Sequence, residues 1–216
     1  DTPVFVDFAA GKKGSLMVEG TENLLTENQS SFETSSNWTW TQNCNHTQSI
    51  DWAFHGGNSS RIEKTGDTTT SMAFRQDVNI SGYSAGDPFT LSGYIYLPSG
   101  NPYIGKRFQI NAYFLDGAEA NNFNAGPKTY TLQEGLNLLF TTALLDYSDR
   151  ERVSLQFMEV TADRQDAGAY MYLDGLMIIP KPYWLPWHIG GSTRANPLKR
   201  ITLPEALPEE FGIGIR

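Results

Sequence analysis

The stretch Thr90–Pro98, TLSGYIYLP, and the one that follows it at Arg107–Asp116, RFQINAYFLD, decide the fold class. Both alternate with period two, the signature of a half-buried strand. In the first, Leu91, Ile95 and Leu97 fall on one face, and Ser92, Tyr94 and Tyr96 on the other. In the second, Phe108, Ile110, Ala112 and Phe114 oppose Arg107, Gln109, Asn111 and Tyr113. The apolar rows read as core. The opposite rows gather Tyr, Gln, Asn and Arg, an unusual mixture for a face that only meets water. Aromatic rings pack on the C–H faces of a sugar, and planar amides and a guanidinium bond its hydroxyls. The polar rows therefore point to binding, with Tyr94, Tyr96, Arg107, Gln109, Asn111 and Tyr113 as candidate ligand residues, joined by Arg75 and Gln156 from neighbouring segments.

Working outward, the same alternation recurs at Asn37–Thr41, Ile50–His55, Ser71–Val78, Lys128–Gln133, Leu136–Thr141, Val153–Val160 and Ala169–Ile179. Polar, turn-rich stretches separate these segments, among them Gly56–Ser60, Ser81–Pro88 and Asp116–Pro127. Long amphipathic helices are missing from the pattern; Leu144–Arg152 reads as a short helical turn. Eight or nine strands without helices predict an all-β sandwich. Three zones follow: an extended arm or edge strand over Asp1–Asn23, the sandwich over Leu24–Pro180, and a connector over Lys181–Arg216. Five prolines punctuate the connector: Pro182, Pro186, Pro197, Pro204 and Pro208. Each fixes φ and withholds a ladder donor, so this zone is expected to be extended. Its last residues, FGIGIR, read as the beginning of a strand and predict a following domain. The first residues lack a signal-peptide pattern and an initiator Met, as a processed or excised chain would.

Composition narrows the function classes. The 216 residues suit one domain, which buries roughly 70% of its unfolded surface and needs no covalent staples. The net charge of −8 and the lack of a basic patch argue against nucleic acid. No apolar run approaches the roughly 20 residues of a membrane-spanning helix. Cys44 is the only cysteine, which excludes an internal disulfide framework. The three histidines, His46, His55 and His188, have no metal-ligand spacing, and Cys44 and His46 stand too close in sequence to be a nucleophile and its base. Glu63, Glu151, Glu159 and Asp174 are not paired by any motif of glycoside hydrolysis. The reading is of a non-enzyme. Trp38 and Trp40 are placed on one face of a strand and, with Trp52, read as packing residues or as a stacking platform at the rim.

Two stretches carry a family resemblance. NLLTENQSSFET (Asn23–Thr34), followed by Trp38 and Trp40, resembles the opening of jelly-roll carbohydrate-binding modules, and AYMYLDGLMIIP (Ala169–Pro180) resembles their closing strand. The flanks GSLMVEGTENLL (Gly14–Leu25) and PYWLPWHIGGSTRANPLKRITLP (Pro182–Pro204) are similar to segments that surround such a jelly roll in bacteriophage tail and other virion proteins. Trp184 and Trp187 depart from the usual connector. The resemblance implies a jelly-roll β-sandwich on a virion that binds host-surface carbohydrate. Its partners would be a host glycan, other virion subunits and further copies of itself in a homo-oligomer. It further implies one structural Ca²⁺ where the first and last strands meet, with Glu33 and Asp174 as carboxylate ligands. Two alternatives stand beside it: a purely architectural module of the virion, and the accessory sugar-binding module of a secreted glycoside hydrolase.

Overall fold

The alternation resolves into ten antiparallel strands among the described residues, which in a computed structural model are 21–117, 122–184 and 187–191, with backbone alone at 122 and 123. They are β1 (Trp40–Gln42), β2 (Cys44–Ser49), β3 (Ser59–Lys64), β4 (Ala73–Asn79), β5 (Pro88–Leu97), β6 (Arg107–Leu115), β7 (Asn122–Thr131), β8 (Gly135–Leu144), β9 (Arg152–Glu159) and β10 (Tyr170–Ile179). One short helix, α1 (Glu27–Ser31), precedes them. Thr26 and Gln29 close it with a reciprocal capping box, and Phe32 ends it in a left-handed conformation. No helix among the described residues is long and apolar enough to cross a membrane.

Two five-stranded sheets face each other. The first runs β1-β4-β9-β6-β7 and the second β2-β3-β10-β5-β8. Inward rows from both fill the space between them. Phe74, Phe108, Phe114, Val153, Leu155 and Phe157 come from the first sheet, and Ile62, Phe89, Leu91, Ile95, Leu97, Met171 and Leu173 from the second. Aromatic contacts cross the gap, as where Phe89 meets Phe114 edge-on at 5.9 Å. This is the β-sandwich that the alternation predicts, with the jelly-roll architecture that the family resemblance implies.

Several segments differ from the expectation. Ile50–His55 has the strand pattern but joins no ladder; it lies as a loop across the second sheet. The strand is instead its polar neighbour Cys44–Ser49, which among the described residues is an edge element paired with β3. An edge strand shields little apolar surface, so hydrophobic periodicity does not mark it. Ser59–Lys64 is likewise hidden among turn residues, because a buried Lys64 occupies an inward position. The Leu144–Arg152 stretch is a turn stapled by an Arg150–Asp146 ion pair, not a helix.

The ends of the sandwich are tied together through Asn23. Its amide donates to Leu176 O at 3.1 Å and His188 O at 3.0 Å, while its Oδ1 accepts from Ile178 N at 3.0 Å. Gly190 fits against the backbone of Leu25 and Thr26 so closely that a Cβ would lie 2.2 Å from Thr26 O. The segment 187–191 is thus packed onto the sandwich. Of the expected arm only 21–23 lie within the described residues, and of the expected connector only 181–184 and 187–191.

Candidate functional site

The outer face of the first sheet is polar yet close-packed. Arg75, Asp77, Ser154, Gln156 and Asn111 are all buried, although they point away from the core. They hold one another. Asp77 Oδ1 accepts from Ser154 Oγ at 2.6 Å and lies 3.2 Å from Arg75 Nε, and Asp77 Oδ2 is 3.5 Å from Arg152. Asn111 donates to Gln156 Oε1 at 3.1 Å. Trp40 flanks this layer at one side, its ring 5.3 Å from the Arg75 guanidinium. Gln109 and Tyr113, both half-buried, flank it at the other. A face built only for solvation carries mobile, hydrated charges. This one is a fixed array of donors and acceptors, which needs little ordering when a ligand arrives. Asn111 Oδ1 is buried without a hydrogen-bond partner among the described residues. A buried acceptor left so costs about 1–3 kcal/mol, which a donor such as a hydroxyl would offset. Opposite Asn111, the β6–β7 register shifts by a bulge at Gly126–Pro127. Proline has no N–H to offer there.

The six candidate ligand residues do not share one face. β5 belongs to the second sheet and β6 to the first, so Tyr94 and Tyr96 point out of the opposite side of the sandwich from Gln109, Asn111 and Tyr113. The chain crosses between sheets at Pro98–Lys106, where the buried Tyr103 is anchored by its hydroxyl to Glu159 at 2.9 Å. Arg107 does lie with the β6 group, but its guanidinium is engaged by Asp163 at the end of the face. That ion pair holds the Asp163 carboxyl below its ordinary range. Arg75 and Gln156 join the β6 residues as expected. Trp38 and Trp40 also part: β1 begins at Trp40, and Trp38 turns into the core against Phe74 at 4.8 Å, its Nε1 donating to Ser60 Oγ at 2.8 Å.

Tyr94 and Tyr96 are covered by the loop after β2. Phe54 stacks on Tyr94 with centroids 3.9 Å apart, and Trp52 on Tyr96 at 5.0 Å with planes 4° from parallel. Burial under the loop raises the Tyr94 pKa.

Glu33 and Asp174 do come together, around that same loop. Asp174 is fully buried at the β10 bulge. Its Oδ2 accepts from Phe54 N at 2.8 Å and His55 N at 2.9 Å, and its Oδ1 from Gly175 N at 2.7 Å. Burial pushes its pKa up to about 7 against these three donors, and the nearby Glu33 charge adds to the rise. Glu33 accepts from Gly57 N at 3.2 Å and from Asn58 N at 3.3 Å. Calcium wants six to eight oxygens around it. Here amide N–H groups point at both carboxylates, and among the described residues no third His, Cys, Asp or Glu completes a cluster. As arranged, these residues do not fit a calcium ion; they fit the loop's own amides.

Glu159 is spoken for as well. It is buried with Lys64 at 2.7 Å and also accepts from Met72 N and Gln165 N. The adjacent Tyr103 hydroxyl is raised far above its usual pKa by burial and by this carboxylate. Cys44 is half-buried, and desolvation lifts its thiol to about 11, which keeps it protonated and unreactive near neutral pH. None of these groups is placed for acid–base or nucleophilic chemistry on an open face. Sequence reasoning misses the aromatic cover over Tyr94 and Tyr96; its signal is the Trp52/Phe54 alternation, which reads as a strand.

No protein-family model matches the sequence, and no curated protein matches it. Solved structures match its fold. The CBM22-1 xylan-binding domain of Paenibacillus barcinonensis Xyn10C is 18% identical, with a TM-score of 0.52 over 77% of this chain and 99% of that one. The C-terminal family 22 carbohydrate-binding module of Clostridium thermocellum Xyn10B is 15% identical, with a TM-score of 0.50 over 72% and 94%. An arabinose-bound family GH51 α-L-arabinofuranosidase is 10% identical, with a TM-score of 0.52 over 81% of this chain and 27% of that one. At these identities the likeness establishes the shared β-sandwich fold.

Proposed function

We propose that this chain is a non-catalytic virion module, on a phage tail or head appendage, that binds host-surface carbohydrate on the outer face of its first sheet. The observation that carries the binding reading is the packed polar layer of Arg75, Asp77, Ser154, Gln156 and Asn111 between Trp40 and Tyr113. The rings offer stacking planes, and the amides between them offer directed hydrogen bonds to hydroxyls. Support for the virion setting comes from the order of flanking segments around the jelly roll. A single contact of this size would bind on the order of millimolar, about −4 kcal/mol. Repetition in a homo-oligomer on a particle would raise avidity by roughly 10²–10⁴.

A second reading, the accessory module of a secreted glycoside hydrolase, is favoured by the fold shared with xylan-binding domains. Affinity electrophoresis through xylan, β-1,4-galactan and bacterial capsular and O-chain polysaccharides tests both. Retention by bacterial surface glycans supports the first reading, and retention by xylan alone supports the second. Tyr113→Ala combined with Gln109→Ala, two half-buried residues flanking the layer, is expected to abolish retention while lowering the melting temperature by only a few degrees. Retention that survives both changes would place the site elsewhere. No retention on any matrix would favour an architectural module that holds neighbouring virion subunits.

A further inference from the structure

The loop over the second sheet is built with more care than a cover requires. Asp174 turns its buried carboxylate to the amides of Phe54 and His55, and Glu33 holds Gly57 and Asn58. Gly175, at φ +61°, leaves the notch into which Phe54 fits; a Cβ there would lie 2.8 Å from both Phe54 and Tyr94. Trp187 braces the far side, edge-on to Phe54 at 5.7 Å and tilted against His55 at 4.7 Å. The result is two rings fixed parallel to the tyrosines beneath them. Tyr94 and Tyr96 are two residues apart on one strand, so the stacks stand about 6–7 Å apart. One face of each upper ring is turned outward: Phe54 is 37% exposed and Trp52 half-buried.

We infer that Trp52 and Phe54 form a second stacking surface, independent of the first sheet, for a neutral β-linked polysaccharide. Flat, parallel aromatic planes match the C–H faces of successive pyranose rings. The rim supplies hydroxyl partners. Exposed Asp51 accepts from Tyr172 at 3.1 Å and has lone pairs to spare, and exposed His55 stands at the other end. Arg61 lies over Tyr170 at 4.4 Å and is paired with Glu63, whereas Asp51 at the rim and Glu33 under the loop are held by hydroxyl and amide donors, which leaves this surface negative. An anionic glycan would be repelled, and a neutral one would not. Exposed Leu136, paired with Tyr96 on the adjoining strand, extends the apolar floor. With one surface on each outer face, a single chain could bridge two polysaccharide strands.

The test is a ¹⁵N-tryptophan NMR titration of the full chain with cellohexaose, xylohexaose and laminarihexaose. The indole signals of Trp52 and Trp40 are assigned from Trp52→Phe and Trp40→Phe. A saturable shift of the Trp52 indole with any of the three sugars is expected. Trp52→Ala should weaken binding at this surface about tenfold, the upper end of one aromatic contact, while the Trp40 response persists. If Trp40 alone responds, the first-sheet site stands and this surface is refuted. If Trp52 alone responds, this surface stands and is distinct from the first-sheet site, which then takes none of these three sugars. Silence at Trp52 up to tens of millimolar overturns this surface and leaves the first-sheet site to the retention experiment. A Trp52 shift that tracks protein concentration without sugar, with a dimer in sedimentation velocity, would make the face a self-association surface and overturn the glycan assignment.

Discussion

Gly93 sits in the inward row of β5, between Leu91 and Ile95, where the alternation calls for an apolar side chain. The space is taken by others: a Cβ would lie 2.5 Å from Leu176 and 2.8 Å from Phe157. Gly93→Ala is therefore expected to cost about 1–3 kcal/mol by overpacking and to lower the melting temperature by several degrees. An unchanged melting temperature would show that the core there has slack. Alternation assigns Leu91, Ile95 and Leu97 to the core correctly, because the pleat alone sets which way each points. The need for Gly93 is not readable, since Leu176 and Phe157 arrive from distant parts of the chain. Asn111 carries the same lesson on the outside. Its outward direction is legible, but its burial and its bond to Gln156 depend on β9 lying beside β6.

The loop between β2 and β3 has the alternation of a strand, and β2 has the polarity of a loop. Trp52 and Phe54 alternate because both rings lie on the second sheet, not because their backbone pairs with it. What holds this loop is a set of amide bonds to Glu33 and Asp174, the two residues expected to bind calcium. The family resemblance places these carboxylates side by side, and an Asp in an apolar strand calls for a partner; the partner is backbone. Excess EDTA is accordingly expected to leave the melting temperature unchanged. A fall that calcium restores would establish a cation there instead. Asp174→Ala leaves three amides without their acceptor and is expected to cost about 1–3 kcal/mol or more, measured by urea denaturation.

Across the whole molecule, apolar packing joins the two sheets, and the buried Lys64–Glu159 ion pair spans them. Lys64 ends β3 in the second sheet, and Glu159 ends β9 in the first. Lys64→Met would strand the Glu159 charge in the core and is expected to cost about 3–5 kcal/mol. A loss below about 1 kcal/mol would mean that Glu159 takes up a proton or finds water. The chain's residues are enough to establish an all-β sandwich, its inward rows and a net charge of −8, because pleat direction and charge balance are local or additive properties. They do not settle which strands become neighbours. Pairing joins residues as far apart in the chain as Ser60 and Leu173, and it is chosen by the fit of the assembled core. For that reason β5 and β6, adjacent in sequence and alike in pattern, lie in opposite sheets. The single polar-aromatic face that their sequences suggest becomes two faces, one of amides and one of stacked rings, on opposite sides of the sandwich.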